Sequence, residues 1–161
     1  MSTQPTLQPT FIGHVANLED ALLVVEACLS GTMHHLYRFP RDDELQDLVG
    51  SGNTFVFAEF VTGKGDWDHG KSWMVLGRED GILIQREHMG SNGFFKKSGS
   101  FMVQGTRHHI VSYYKVGDTI KQFSTDGEMM DEVLKRPSHD SRLKGISLRQ
   151  ELASPDKPLL M

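Results

Sequence analysis

The run from Thr106 to Asp118, "TRHHIVSYYKVGD", sets two adjacent histidines close to a serine. Residues of these types can bind a metal, pair as nucleophile and base, or line an ordinary strand. From His108 to Tyr114 the run is rich in β-branched and aromatic residues, and Gly105 ahead of it is a turn signal, which predicts a strand. Side chains on a strand alternate between its faces. Arg107, His109, Val111 and Tyr113 then share one face, and His108, Ile110, Ser112 and Tyr114 the other. Two such histidines cannot ligate one metal without breaking the strand, and nothing nearby supplies the remaining ligands. The other histidines are scattered. The chain has no HExxH pair, a single cysteine, no GxSxG elbow and no GxxxxGK[ST] loop. A triad built on Ser112 with His108 or His109 lacks a third member. The expectation is a chain without catalytic residues, cofactor or metal.

Two other stretches could meet a ligand. The loop "GKGDWDHGKSW" carries Trp67 and Trp73, which can stack on bases or anchor the loop in a core, and Lys64 and Lys71, which can meet phosphates. Lys96 and Lys97 are adjacent on a predicted strand, so they face opposite ways and at most one joins a given basic face. With Arg86 and Arg107 such a lysine would form part of a phosphate-tracking stripe. Net charge is −4, unevenly spread. Residues 1–63 carry two basic and eight acidic side chains, whereas residues 64–161 carry fifteen basic and thirteen acidic ones. A basic face would have to come mainly from the later part.

The elements that must hold these residues are legible in outline. At 161 residues and 38% hydrophobic content, the chain fits one domain with a real core. No apolar run approaches the ~20 residues of a membrane span. "MSTQPTLQPT" has neither the basic start nor the apolar core of a signal peptide. Cys28, alone in the apolar run "ALLVVEACLS", reads as a buried thiol in a reducing, intracellular compartment. "PTFIGHV" predicts a short strand. "NLEDALLVVEACLSG" has helix grammar: Asn17 as N-cap, Glu19 and Asp20 in the first turn, Gly31 as the stop, and Leu18, Leu22, Val25 and Leu29 as the buried stripe. "PRDDELQDLVGSG" predicts a second short helix, "NTFVFAEFV" and "GILIQREH" strands, and "FFKKSGSFMVQG" with "TRHHIVSYYKV" a hairpin turning at "QGT". "STDGEMMDEVLKRPS" predicts a brief helical segment that Pro137 ends. The pattern is α+β.

Five blocks in order carry a family resemblance: "PTFIGHV" with "DALLVVEACLSG", then "SGNTFVF", "WDHGKSW", "FFKKSGSFMVQGTRHHIVSYY" and "RPSHDSRLKGISLRQEL". Over residues 9 to 152 the chain resembles the fungal WOPR-domain (Gti/Pac) regulators. The resemblance implies one globular α+β domain at 9–152, with first half about 9–88, linker about 89–93 and second half about 94–152. The halves interweave into a mixed, mostly antiparallel sheet with short flanking helices. Residues 1–8 and 153–161 are expected as flexible ends.

The resemblance also implies a nuclear regulator of transcription that binds double-stranded, A·T-rich DNA, with no membrane and no metal. Its cations would be Arg38, Lys71, Arg78, Arg86, Lys96, Lys97 and Arg107, with Trp67 and Trp73 anchoring the loop. Members of the family are thought to insert a basic loop near the first tryptophan into the minor groove, whose narrow A·T form attracts cations. This chain departs there: Gly65 and Asp66 precede Trp67, Asp68 follows it, and His69 is inserted before Gly70. Arg78 stands one place away from the family's arginine, and Arg38 is followed by Phe39 where a second base is expected. Acids facing phosphates repel, so the alternative expectation is a divergent paralogue that works through a protein partner.

Overall fold

The computed structural model describes residues 7–41, 43–62, 73–87, 93–118 and 134–153. The Asn17 side chain accepts the Asp20 amide at 3.0 Å and begins α1 (Leu18–Leu29) where the cap pattern places it. Gly31, at φ 84°, follows its end. The buried face of α1 is wider than the leucine–valine stripe. It includes Ala21, Val24, Ala27 and Cys28, and it takes in Asp20 and Glu26 as well.

Six strands form one sheet: β1 (Phe11–Ile12), β2 (Asn53–Ala58), β3 (Trp73–Glu79), β4 (Ile82–Glu87), β5 (Phe94–Val103) and β6 (Thr106–Lys115). Their order is β1-β2-β6-β5-β4-β3, and each neighbouring pair is antiparallel, so the expected mixed sheet is in fact antiparallel at every described pairing. The later hairpin lies between β2 and β4, so the two parts of the chain interleave as expected. Val103 pairs with Thr106 across a two-residue turn in which Gln104 (φ 50°) and Gly105 (φ 78°) are both left-handed. That conformation matches the twist of the flanking strands and favours glycine at the second position. Strand β3, which the sequence pattern leaves unassigned, is one edge of the sheet; its register shifts between Val75 and Gly77.

Each sheet face carries its own core. On the first face Val56, Ile82, Phe101, Val103 and Ile110 pack against α1, joined by Leu143 and Leu152 from the later segment. That segment holds the 3-10 turns Pro137–His139 and Ser141–Leu143 and α4 (Gln150–Ala153). On the second face Phe55, Phe57, Val111 and Tyr113 are covered by Leu36, Leu48 and Val49, from the stretch between α1 and β2. This stretch includes α2 (Leu45–Leu48), much shorter than the helix expected there. Phe55 and Phe57 are fully buried, and each contributes roughly 1.5–3 kcal/mol by leaving water. After Ala58 the predicted strand turns into α3 (Glu59–Thr62). The segments predicted around Trp67 and Lys71, and the helix expected before Lys135, lie outside the described residues.

Candidate nucleic-acid interface

The strand alternation sorts the candidate cations before any contact is considered. Lys96 is paired with Gln85 and Tyr113, Arg78 with Leu83, and Arg107 with Met102, which puts these three on the second face. Lys97 and Arg86, paired with Ile84 and Phe95 on the neighbouring strand, lie on the first. They are not one stripe.

Exposure separates them further. Arg78 and Arg86 are exposed, on β3 and β4. Arg107 is exposed as well, and its guanidinium stands 3.8 Å from the Glu59 carboxylate on α3. Lys96 is fully buried, its Nζ 5.4 Å from the Trp73 ring centroid. A buried ammonium against an indole face makes a cation–π contact, not a phosphate contact. Trp73, the first residue of β3, is half-buried against the second core, its ring 5.9 Å from that of Tyr113. Lys97 Nζ donates to the Ala16 carbonyl at 2.8 Å and sits 5.3 Å over the Tyr114 ring. Burial lowers its pKa from the ordinary lysine value, against the opposing pull of Glu79 and Asp20.

Arg38 is built into the fold. Its two terminal nitrogens donate to Glu44 at 2.7 and 2.9 Å, and Glu44 also accepts the amides of Leu7 and Arg41 at 3.0 and 2.8 Å. The guanidinium beside it, opposed by burial and helped by the two backbone donors, holds the Glu44 carboxyl down at about 2. Lys71 and Trp67 lie outside the described residues.

The histidine–serine run resolves into separate contacts. His109 and Ser100 face each other across β5 and β6, Nδ1 to Oγ at 2.7 Å, and the His109 ring stacks on Phe57. Its Nε2 stands 3.4 Å from Glu59, beyond a good hydrogen bond. Ser112 lies on the opposite face and shares a 2.8 Å hydrogen bond with Thr54. Among the described residues, no serine–histidine pair involving Ser112 forms. His108, on the Ser112 face, meets His35, a contact the sequence pattern does not suggest.

Two buried carboxylates on α1 also escape a reading by hydrophobic stripe. Asp20 accepts the Ala16 amide and Arg136 Nε, both at 2.9 Å. Glu26 accepts the Arg149 amide, Nε and a terminal nitrogen at 2.8–2.9 Å and the Ser30 hydroxyl at 2.6 Å, and the Arg149 bonds take its pKa down to about 2. An acid inside "LLVVEACL" is the signal for such a site: a buried carboxylate must find a cation.

The chain's relatives agree with this architecture. The model of the Gti1/Pac2 family matches residues 10–87. The global transcription regulator sge1 of Gibberella fujikuroi is 29% identical over 91% of this chain and 61% of its own length. The transcriptional regulator MIT1 of Saccharomyces cerevisiae is 37% identical over 58% of this chain and 15% of its own. The chain thus spans about three fifths of the sge1 length. Among solved structures, the WOPR domain of Wor1 from Candida albicans in complex with a 13-bp double-stranded DNA superposes with a TM-score of 0.73 at 28% identity, covering 91% of this chain and 94% of that one. The family model, the relatives and the interleaved six-stranded sheet lead to one conclusion: the chain has the WOPR-domain fold, and its residues 10–87 match the Gti1/Pac2 family.

Proposed function

We propose that the chain is a DNA-binding regulator of transcription that acts in the nucleus through residues 9–152 as one unit. The observation that carries this is the likeness to a WOPR domain solved on duplex DNA, which extends over nine tenths of both chains. Arg78, Arg86 and Arg107 have the exposure a phosphate contact needs. Lys71 joins them by its place in the sequence. Lys96 and Arg38 act behind the surface, Lys96 by holding Trp73 and Arg38 by holding Glu44. Asp66 and Asp68 weaken the minor-groove loop and its preference for A·T-rich sites, so affinity rests on phosphates and falls steeply with salt.

The test is binding to matched A·T-rich and G·C-rich duplexes at two salt concentrations. Weak, salt-steep binding with little discrimination is expected. The absence of binding above background at low salt would refute the proposal. It would favour a second reading, a WOPR-fold paralogue that works through a protein partner. One observation supports that alternative: Arg78 and Arg86, both exposed, lie on opposite faces of the sheet.

A further inference from the structure

We propose that His35 and His108 form a proton-operated catch, which holds the segment after α1 on the sheet edge while both rings are neutral and releases it on acidification. The segment crosses the edge beside β2. The Leu36 amide donates to the Val56 carbonyl at 2.8 Å, and the Leu36 side chain enters the second core, 1% exposed. Its neighbour His35 meets His108 of β6, which lies on the first face; the ring centroids are 5.5 Å apart and the planes inclined at 40°. One residue thus engages each side of the sheet.

Both rings are poorly placed to take up a proton. His35 Nε2 and His108 Nδ1 are buried and lack a hydrogen-bond partner among the described residues. Neutral imidazole can leave one lone pair unpaired at modest cost, but an imidazolium needs acceptors for two N–H groups. The neighbouring charges add to the difficulty. His34, next in sequence, bears on His35. His35, His109 and Arg149 bear on His108. The nearby carboxylates have other partners: Glu26 of α1 holds Arg149, and Glu59 of α3 stands beside Arg107 and His109. Burial is the largest influence on both rings and lowers both pKa values. The lifted segment binds protons that the docked one refuses, so docking is at full strength above the ordinary histidine pKa and weakens as pH falls below it.

The magnitude follows from the ordinary pKa of about 6.5. One pH unit below it, each ring barred from protonation shifts the docking equilibrium by up to about tenfold. Amide exchange on the full chain reads this directly at Leu36. Between pH 7.5 and 5.5, after correction for intrinsic exchange, Leu36 protection should fall by about tenfold or more while that of Val111 in β6 is unchanged. His35→Phe keeps a ring that cannot be protonated, and His108→Gln keeps a polar group that cannot; each should flatten the decline. An unchanged Leu36, a parallel loss at Val111, or the same decline in both variants would overturn the proposal. Because the first measurement uses the wild-type chain, it stands whether or not a variant folds.

Discussion

Removing the Glu44 carboxylate should be among the most damaging single changes outside the apolar cores. Glu44 is 3% exposed and gathers four donors: the two terminal nitrogens of Arg38 and the amides of Leu7 and Arg41. Glu44→Ala leaves the Arg38 guanidinium, itself only 13% exposed, beside an empty site and orphans two backbone N–H groups. Breaking a buried pair in this way costs about 3–5 kcal/mol. The lowered pKa of Glu44 gives a second figure. Moving the carboxyl from 4.5 to about 2 is worth about 3 kcal/mol at neutral pH. The sign is that of a depressed acid: the stabilisation is present above pH 4.5 and disappears as pH falls from there toward 2. Urea unfolding followed by tryptophan fluorescence, from pH 7 to 3, measures both quantities. The midpoint should drop at pH 7 with an unchanged slope, and the gap between wild type and Glu44→Ala should narrow as the pH falls. A loss below about 1 kcal/mol at pH 7, or a gap that does not change with pH, would refute the account.

Other expectations follow from the same contacts. Gly13→Ala should destabilise the fold, because an added Cβ would run into the Lys135 carbonyl and the Phe11 ring; thermal unfolding measures this. Asp20→Asn should loosen the 134–153 segment by weakening the Arg136 pair, and limited proteolysis should find earlier cleavage near Arg136. In DNA titrations, Arg78→Ala or Arg86→Ala should weaken binding to all duplexes alike and reduce the salt slope by about one. Only one of the two should do so if a single face meets the DNA. Asp66→Arg should raise affinity and A·T preference together, since a cation then stands where the narrow groove attracts one.

The sequence reading succeeded where local chemistry decides structure. The α1 cap at Asn17, the β5–β6 turn at Gln104–Gly105 and the opposed faces of His108 and His109 all follow from short-range rules, and the structure has each of them. Strand β3 was not legible because "WMVLGRE" lacks clean alternation. It lies at the sheet edge with a register shift beside Gly77, and Val75 and Leu76 are exposed. The site was legible as a set of residue types and not as an arrangement. A strand pattern separates Lys96 from Lys97, but no sequence rule says that Lys96 is the fully buried one. Nor does sequence spacing reveal that Arg38 is held by Glu44 six residues on, or that His35 reaches His108 across the sheet.

Interleaving has a consequence for how the chain is made. A ribosome that has released residues 10–87 has supplied β1 to β4, yet β2 and β4 are not neighbours. Their mutual spacer is the β5–β6 hairpin, which is synthesised after both of them. Until it inserts, β2 and β4 present open hydrogen-bonding edges, and Phe55, Phe57 and Val56 lack the strand that covers them. Such a nascent chain is exposed to wrong pairing, and long-range strand insertion is a slow step in folding. The stretch that matches the family's sequence model should therefore not fold alone. A gene truncated near residue 88 should yield a chain that chaperones retain and proteases clear, while the β5–β6 hairpin supplied in trans, as a separate peptide, would have a ready-made slot to complete.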